Sequence, residues 1–355
     1  MKNQKLKIKS KRCAIAFTFI LSLLLAAGTT VSGQTLYINA EKGKDHAAGT
    51  SAAPLKNLKE AVAKANRFSG NEPVTLILSP GLYTIKNKLM INTAAGKAAK
   101  APFTIQAAIL PDGKNWQASS IPTILSVSAD NDTNQFPHCE ALLIGQSNVI
   151  IKGLKFAGNP NTSQADYYYP IRRADKTLNG LSVSHCFFIG EANSSPIQSS
   201  FWASGTGIHV DHCIFHGSKI AFVLSANVND FSLTHSIIDG AYNTAIWYGF
   251  AGSVPKFVLD NNVITNCYYV MVYPVEAGQP AFTFRNSYLT GNANEFGNYP
   301  KAQDRFVLEP MKKIKEVNVN KTGVVKYYEV ENDGIIKDDL NILPSSPAKK
   351  TGAGI

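Results

Sequence analysis

The sequence predicts an all-β solenoid in which short coils stack on one another. Six segments share one pattern: apolar residues alternate with other residues, a small or polar pair follows, and two mostly apolar residues precede a closing Gly or Asn. The copies start 23 to 32 residues apart, the length of one solenoid coil. A unit this small cannot bury its own apolar face, so the copies must stack. The segments are VIIKGLKFAG (149–158), LSVSHCFFIG (181–190), IHVDHCIFHG (208–217), FSLTHSIIDG (231–240), FVLDNNVITN (257–266) and FTFRNSYLTG (282–291).

The first 33 residues have the composition of a secretory signal peptide. Five lysines and one arginine precede the apolar run 13–28, and the small residues of 31–33 follow it. The run is too short to span a membrane comfortably, and no cysteine follows the cleavage site to carry a lipid anchor. We therefore expect a mature chain that starts at Gln34, is secreted or periplasmic, and has no membrane span.

Removal of this segment changes the charge of the chain. The whole sequence has 35 basic and 25 acidic residues, a net charge of +10. The segment holds six basic and no acidic residues, so the remainder has 29 against 25, or +4. So small a charge gives no electrostatic reason to bind nucleic acid. We expect a monomer without a nucleic-acid partner.

The remaining chain is expected to form one structural domain with three parts. Residues 34–85 comprise entry strands and an amphipathic helix at 55–66, whose apolar residues fall at helical spacing. Such a helix would cover the first open coil, which otherwise exposes a sheet edge. Residues 86–300 are the coils, and residues 301–355, which are richer in charge, are expected to form an irregular C-terminal cover.

Two of the four remaining cysteines repeat with the coils. Cys186 and Cys213 occupy the same position just after the corner, where later coils carry Ser236, Asn262 and Ser287. Although an exported protein can form disulfides, a position that accepts only small inward residues favours stacked buried thiols over a bridge.

Both ends of this domain resemble secreted bacterial right-handed parallel β-helix proteins of the pectate-lyase-like superfamily. The opening YINAEKGKDHAAGTSAAPLKNLKEAVAKA with VTLILSPGLYTI is similar to the strand, loop-helix and Pro-Gly-x-Tyr turn before the first coil of that family. The ending SSPAKKTGAG resembles the family's C-terminal tail. The resemblance implies the fold and leaves the activity open, because the superfamily includes lyases, glycosidases, pectin methylesterases and proteins with no known activity.

Outward-pointing residues of such coils form columns about 4.8 Å apart along the stack. In IHVDHCIFHG, His209 and Asp211 point outward, because the apolar residues beside them point inward. Lys152 and Asp260 fall in the column of Asp211. Trp247 is expected to point outward from a further strand that follows a later corner.

Three histidines, His185, His212 and His235, stack in a corner column that continues as Asn261 and Asn286. No carboxylate belongs to that column, and the spacing is only that of the repeat, which is weak evidence for a metal site. We therefore predict a polar ladder with no metal between the histidines.

The two longest segments between repeats, 159–180 and 191–206, directly precede the strands of the second and third copies. Long excursions from a solenoid commonly build a binding face. An alternative without a binding role fits these segments equally well. In that case their aromatic residues only pack onto the coil, and their basic residues are only solvated. The candidate substrate-contacting residues in these segments are Tyr168, Tyr169, Arg172, Arg173 and Trp202.

Aromatic rings beside guanidinium groups suit a sugar acid, which leads to β-elimination on a uronic-acid polysaccharide as the main hypothesis. This reaction needs a neutralised carboxylate, a base and a proton donor. We expect the residues involved to share one groove. The candidates are Arg172 or Arg173 for the carboxylate, with or without Ca²⁺ held by Asp211, Lys152 or His209 as base, Tyr168 or Tyr169 as proton donor, and Trp202, Trp247 and Asp260 as further substrate contacts.

Two other function classes remain open. A glycoside hydrolase needs two carboxylates about 5 to 9 Å apart, and Asp211 and Asp260 would stand two coils apart, roughly 9.6 Å. A non-catalytic carbohydrate-binding or surface protein would need only Trp202, Trp247 and the tyrosines.

Overall fold

The structure, a computed structural model, is almost entirely β. Its described part contains one α-helix, α1 (Leu58–Ala65), and two 3₁₀ turns at Gly96–Ala98 and Ala118–Ser120. All but the last residue of the predicted signal segment, and most of the predicted cover at 301–355, lie outside the described residues. None of the described helices has the length and hydropathy needed to cross a membrane. The described residues are 33–111, 113–129, 138–162, 167–225, 227–249, 256–274, 283–299, 315–322 and 353.

The described strands form three parallel sheets. Sheet 1 contains β1 (Gln34–Ile38), β2 (Val74–Leu78), β5 (Phe103–Ala107), β8 (Val149–Lys152), β11 (Asn179–Ser184), β14 (Thr206–Asp211), β17 (Asp230–Thr234), β20 (Lys256–Asp260), β23 (Thr283–Arg285) and β26 (Lys315–Val317). Sheet 2 contains β3 (Leu82–Ile85), β6 (Thr123–Ser126), β9 (Lys155–Ala157), β12 (Phe187–Ile189), β15 (Ile214–His216), β18 (Ile237–Asp239), β21 (Val263–Thr265) and β24 (Tyr288–Thr290). Sheet 3 contains β4 (Leu89–Ile91), β7 (Cys139–Ile144), β10 (Tyr168–Arg173), β13 (Ser199–Ala203), β16 (Ile220–Leu224), β19 (Thr244–Tyr248), β22 (Tyr269–Pro274) and β25 (Asn294–Tyr299).

The order of the strands confirms the predicted fold class. From β2 onward the chain passes through sheets 1, 2 and 3 in turn, so each coil adds one strand to each sheet. All the described pairings between successive coils are parallel. Parallel strands joined by crossover connections take the right-handed sense. The fold is a right-handed parallel β-helix.

An inward column of apolar residues runs along sheet 1. Its members are direct register partners on consecutive strands, and each is at most 1% exposed. Because parallel strands in register repeat the same position at each coil, a period-two apolar pattern becomes a continuous apolar wall. The column consists of Val210, Leu233, Leu259 and Phe284.

The core repeats identical residues from coil to coil. The rings of Phe156, Phe188 and Phe215 stack with centroids 4.9 Å apart at each step, which matches the strand spacing. Cys186 and Cys213 are both buried free thiols, and the backbone N–H of Cys186 lies 3.4 Å from the Sγ of Cys213. The prediction of stacked thiols is confirmed.

The entry helix starts later than predicted. The sequence placed it at 55–66, but Leu55 is extended and pairs with β1, where its N–H donates to the carbonyl of Tyr37 at 2.9 Å. Asn57 then caps the helix by accepting a hydrogen bond from the N–H of Glu60 at 2.9 Å. The strand contact and the cap together delay the first turn by three residues.

The segments predicted to be long excursions contain strands of sheet 3. Segment 159–180 includes β10, and segment 191–206 includes β13. In the sequence, the third strand of a coil is recognisable as an apolar run only in later coils, at 221–224, 245–248 and 270–273. β10 and β13 have Tyr, Pro, Arg, Ser and Trp where those later strands have mostly apolar residues, so their pattern was obscured.

Candidate functional site

The predicted site residues lie on two different sheets and do not form one groove. Segments 159–180 and 191–206 supply β10 and β13 to sheet 3, so the candidate residues on these strands do not share a face with His209 on sheet 1. The expectation of a shared groove is wrong for this reason. Sheet 1 carries Lys152, His209, Asp211 and Asp260, and sheet 3 carries Tyr168, Tyr169, Arg172, Arg173, Trp202 and Trp247.

On sheet 1 the outward residues form the predicted column. Lys152, Ser184, Asp211, Thr234 and Asp260 are register partners on consecutive strands. Asp211 and Asp260 are thus separated by Thr234, as expected. Their possible roles in catalysis stay predictions.

The other polar groups of this face bond to the neighbouring coils. His209 is exposed, and its Nδ1 lies 2.9 Å from the Oγ of Ser232 on the next strand. The Oδ1 of Asp260 accepts a hydrogen bond from the Nδ2 of Asn286 at 2.8 Å. Lys152 is half-buried. Hydrogen bonds between successive coils therefore hold the polar side chains on the outer face of sheet 1.

Asp211 has the densest set of partners on sheet 1. Thr234 donates its hydroxyl to Oδ1 at 2.6 Å, and the Nδ1 atoms of His212 and His235 lie 2.7 Å from Oδ2 and 3.1 Å from Oδ1. Burial raises the pKa of Asp211, but the hydrogen bonds from Thr234, His212 and His235 outweigh it and lower the pKa below its usual value. Asp211 is therefore ionised at neutral pH.

The histidine column lies at the corner between sheets 1 and 2, where the backbone is left-handed. The φ angles are +54° at His185, +50° at His212, +44° at His235, +57° at Asn261 and +47° at Asn286. Asn and His are among the residues enriched in this region, which explains why both residue types occupy this column. The rings of the three histidines stack at centroid distances of 5.1 and 4.8 Å.

Sheet 3 carries a buried polar and aromatic cluster that faces away from the core. Glu140 lies between Cys139 and Ala141, which both face the core, so its side chain points outward, yet it is 0% exposed. Its Oε1 accepts a hydrogen bond from the Nη1 of Arg172 at 2.7 Å and lies 3.3 Å from the Nε2 of His138. We call His138, Glu140, Tyr169, Arg172 and Trp202 the sheet 3 cluster.

Trp202 is the half-exposed centre of this cluster. The Tyr169 ring packs edge-on against it at 5.0 Å, and the guanidinium carbon of Arg172 stands 5.8 Å from its ring centroid. This Arg–Trp arrangement is a cation–π contact. The His138 ring lies 6.4 Å away on the same cluster.

Arg172 and Trp202 belong to an outward column along sheet 3. Arg172, Trp202, Val223 and Trp247 are register partners on consecutive strands, and we call them the tryptophan column. Arg172, Trp202 and Trp247 are partly exposed, whereas Val223 is 4% exposed. Since strands stand about 4.8 Å apart, the two tryptophans are about 9.6 Å apart along the stack.

Two residues predicted to contact substrate are buried and point into the coil. Tyr168 faces the core and is 2% exposed. Arg173, also 2% exposed, pairs with Ile144 and donates its Nη1 to the carbonyl of Thr206 at 2.9 Å. Burial lowers the pKa of Arg173 to about 10. The structure therefore contradicts direct substrate contact by Tyr168 and Arg173, because both side chains point into the coil.

Tyr169 points outward but is only 3% exposed. Burial is the main reason that the pKa of its hydroxyl is raised well above the usual value, so it stays protonated at neutral pH. Tyr169 packs against Trp202 and supports that ring.

Sequence reasoning missed His138 and Glu140. Both lie before the first recognised repeat, in and just before β7. A signal was present, since Glu140 is the one charged residue of the otherwise apolar strand CEALLI. A lone carboxylate in a buried strand requires a partner, and here the partners are Arg172 and His138.

Comparisons with known proteins support the fold. No protein-family model matches the chain, and no curated protein matches it in sequence. The structure is similar to that of the pectin methylesterase from Aspergillus niger in deglycosylated form, with a TM-score of 0.53 and 11% identity over 81% of this chain and 86% of that one. A rhamnogalacturonan lyase matches with a TM-score of 0.39 and 14% identity over 91% and 99% of the two chains. The match to the pectin methylesterase supports the right-handed parallel β-helix fold of this chain.

Proposed function

We propose that this chain acts on polysaccharide and binds an extended glycan along the tryptophan column of sheet 3. The observation that carries the proposal is the outward alignment of Arg172, Trp202 and Trp247 in one register. Indole faces offer flat apolar surfaces for sugar rings, and a guanidinium group pairs with a carboxylate. The column runs along the stack and spans three strand spacings, about 14 Å, which suits a linear chain of sugars.

The fold neighbour supports the same class of substrate. One similar structure, which matches with a TM-score of 0.53, is named a pectin methylesterase. The fold alone hosts many activities, so the reaction has to be argued from the site.

The reaction we propose is β-elimination at a uronic acid. Arg172 would neutralise the sugar carboxylate, since its side chain is 23% exposed beside Trp202. His209 and Lys152 lie on sheet 1, so His138 replaces them as the proposed base for the C5 proton. Glu140 holds the His138 ring by the 3.3 Å contact to its Nε2. Tyr169, whose ring packs edge-on against Trp202, would give its proton to the leaving oxygen.

A non-catalytic carbohydrate-binding protein is the second candidate. The observation that favours it is the low exposure of His138 and Tyr169, 4% and 3%, beside a partly exposed Trp202. Binding through Arg172 and the tryptophans needs no proton transfer. A glycosidase has less support here, because the neighbouring strands β4, β10 and β13 carry no second carboxylate beside Glu140.

A substrate screen separates these candidates. The untagged chain, without residues 1–33, would be incubated with acidic polysaccharides and with a neutral one as control. Ultraviolet absorbance of an unsaturated product together with new reducing ends indicates a lyase. New reducing ends alone indicate a hydrolase, and retention on a glycan without either product indicates a binding protein. Neither binding nor product on any glycan would contradict the proposal.

A further inference from the structure

We propose that Asp211, His212 and His235 bind a divalent first-row transition metal ion such as Zn²⁺ at the corner between sheets 1 and 2. One ligand atom from each of these residues lies within 4.8 Å of the other two. The inference does not depend on the glycan site, which is on sheet 3.

The carboxylate of Asp211 already joins the two imidazoles. Its Oδ2 lies 2.7 Å from the Nδ1 of His212, and its Oδ1 lies 3.1 Å from the Nδ1 of His235. Both Nδ1 atoms thus face the same carboxylate. A metal ion that replaced the proton on each Nδ1 would sit between three ligands with little movement of the backbone.

The register of the β-helix produces this arrangement. His212 and His235 occupy the same corner position on adjacent coils, and their ring centroids are 4.8 Å apart. Asp211 precedes His212 directly and belongs to the neighbouring outward column. The sequence predicts no metal between the histidines, because the histidine column itself lacks a carboxylate. In the structure, Asp211 reaches that column from the end of β14.

The donor set indicates the type of ion. Two imidazole nitrogens and one carboxylate suit Zn²⁺ and its neighbours in the first row, whereas Ca²⁺ takes six to eight oxygen ligands. The calcium ion considered at Asp211 is therefore less suited to these partners than a transition metal.

Neighbouring residues leave the site accessible and hold its ligands. The three side chains are 38% to 43% exposed, so an ion can enter and water can complete its coordination. Thr234 donates its hydroxyl to Asp211 at 2.6 Å. The Nδ2 of Asn261 lies 3.2 Å from the Nε2 of His235, the ring nitrogen opposite the proposed ligand atom. Such outer contacts orient metal ligands.

Titration calorimetry tests the inference. The untagged chain would be stripped with a chelator, dialysed and titrated with ZnCl₂, and Co²⁺ would report imidazole ligation through its visible absorption. We expect one equivalent of Zn²⁺ to bind. His212→Asn and His235→Asn should each weaken binding by about tenfold or more. Asn suits the left-handed backbone, since Asn261 and Asn286 adopt it in the same column.

The matched control is His185→Asn, one coil away in the same column. It should keep the full equivalent with an affinity close to that of the wild type. Thermal melting gives a second readout: Zn²⁺ should raise the melting temperature of the wild type and of His185→Asn, but not of His212→Asn. Melting in chelator verifies that each variant folds. Absence of Zn²⁺ binding by the wild type would overturn the proposal, and so would equal affinity in all three variants.

Discussion

At the scale of single residues, the left-handed corner explains which side chains the histidine column accepts. His185, His212 and His235 adopt positive φ angles, and Asn261 and Asn286 continue the column. A left-handed conformation brings Cβ close to the following carbonyl oxygen, and β-branched residues are genuine outliers there. The left-handed backbone therefore determines which residue types this column accepts, whether or not a ligand binds there.

This gives a prediction for His212. In chelator, His212→Val should lower the free energy of unfolding by about 1–2 kcal/mol more than His212→Asn does, because only valine is strained at this φ. Denaturant unfolding of the two variants measures the difference. Equal stability would mean that the corner relaxes and that the column is not set by φ.

A second prediction concerns Asp175, in the connection from sheet 3 to sheet 1. Lys97 pairs with its carboxylate, and the side chain and the backbone N–H of Thr177 donate to it as well, so the pKa of Asp175 lies well below its usual range. A folded-state pKa below the unfolded value gives stability that is present above about pH 4 and is lost as the pH falls through the folded pKa.

The stability advantage of the wild type over Asp175→Asn should thus be largest at neutral pH and should shrink below about pH 4. Urea unfolding across this pH range measures it. Lys97→Met should remove part of the same pH dependence, because Lys97 is the largest cause of the shift. An advantage that grew on acidification would contradict the assignment.

At the scale of elements, the inward columns of buried apolar residues contribute most to the stability of the coil. Leu233 is 0% exposed between Val210 and Leu259 on the adjacent strands. Leu233→Ala should lower the free energy of unfolding by about 2–5 kcal/mol, because it opens a cavity in mid-stack. Ser232→Ala, outward on the same strand, should change it by no more than about 0.5 kcal/mol. Similar losses from both variants would show that the register of β17 is wrong.

The inward columns could be predicted from the sequence because aliphatic residues at period two are their direct signal. β10 could not, since its Tyr168, Pro170 and Arg173 replace the apolar residues that mark the third strand of other coils. The burial of Glu140 depends on Arg172, 32 residues away in sequence, and only the register of sheet 3 brings the two together. A contact between residues so far apart in sequence produces no local periodic pattern, so it could not be predicted from the sequence.

At the scale of the whole molecule, stacking three strands per coil creates separate outer faces with separate chemistry. Sheet 1 presents His209, Lys152 and the Asp211 column. Sheet 3 presents the tryptophan column, with Arg172 held by Glu140. A glycan that lies along the stack contacts one face at a time. We therefore propose that the glycan binds to the face of sheet 3.

The most direct test measures the affinity for the glycan that the screen identifies, for Trp202→Ala and His209→Ala side by side. Both side chains point outward from central strands, and melting verifies that both variants fold. We predict that Trp202→Ala weakens binding by about tenfold or more, equivalent to about 1.4 kcal/mol, because an exposed ring of the tryptophan column is lost. His209→Ala should bind like the wild type. Wild-type affinity in Trp202→Ala together with loss of binding in His209→Ala would contradict a glycan site on sheet 3 and would place the site on sheet 1.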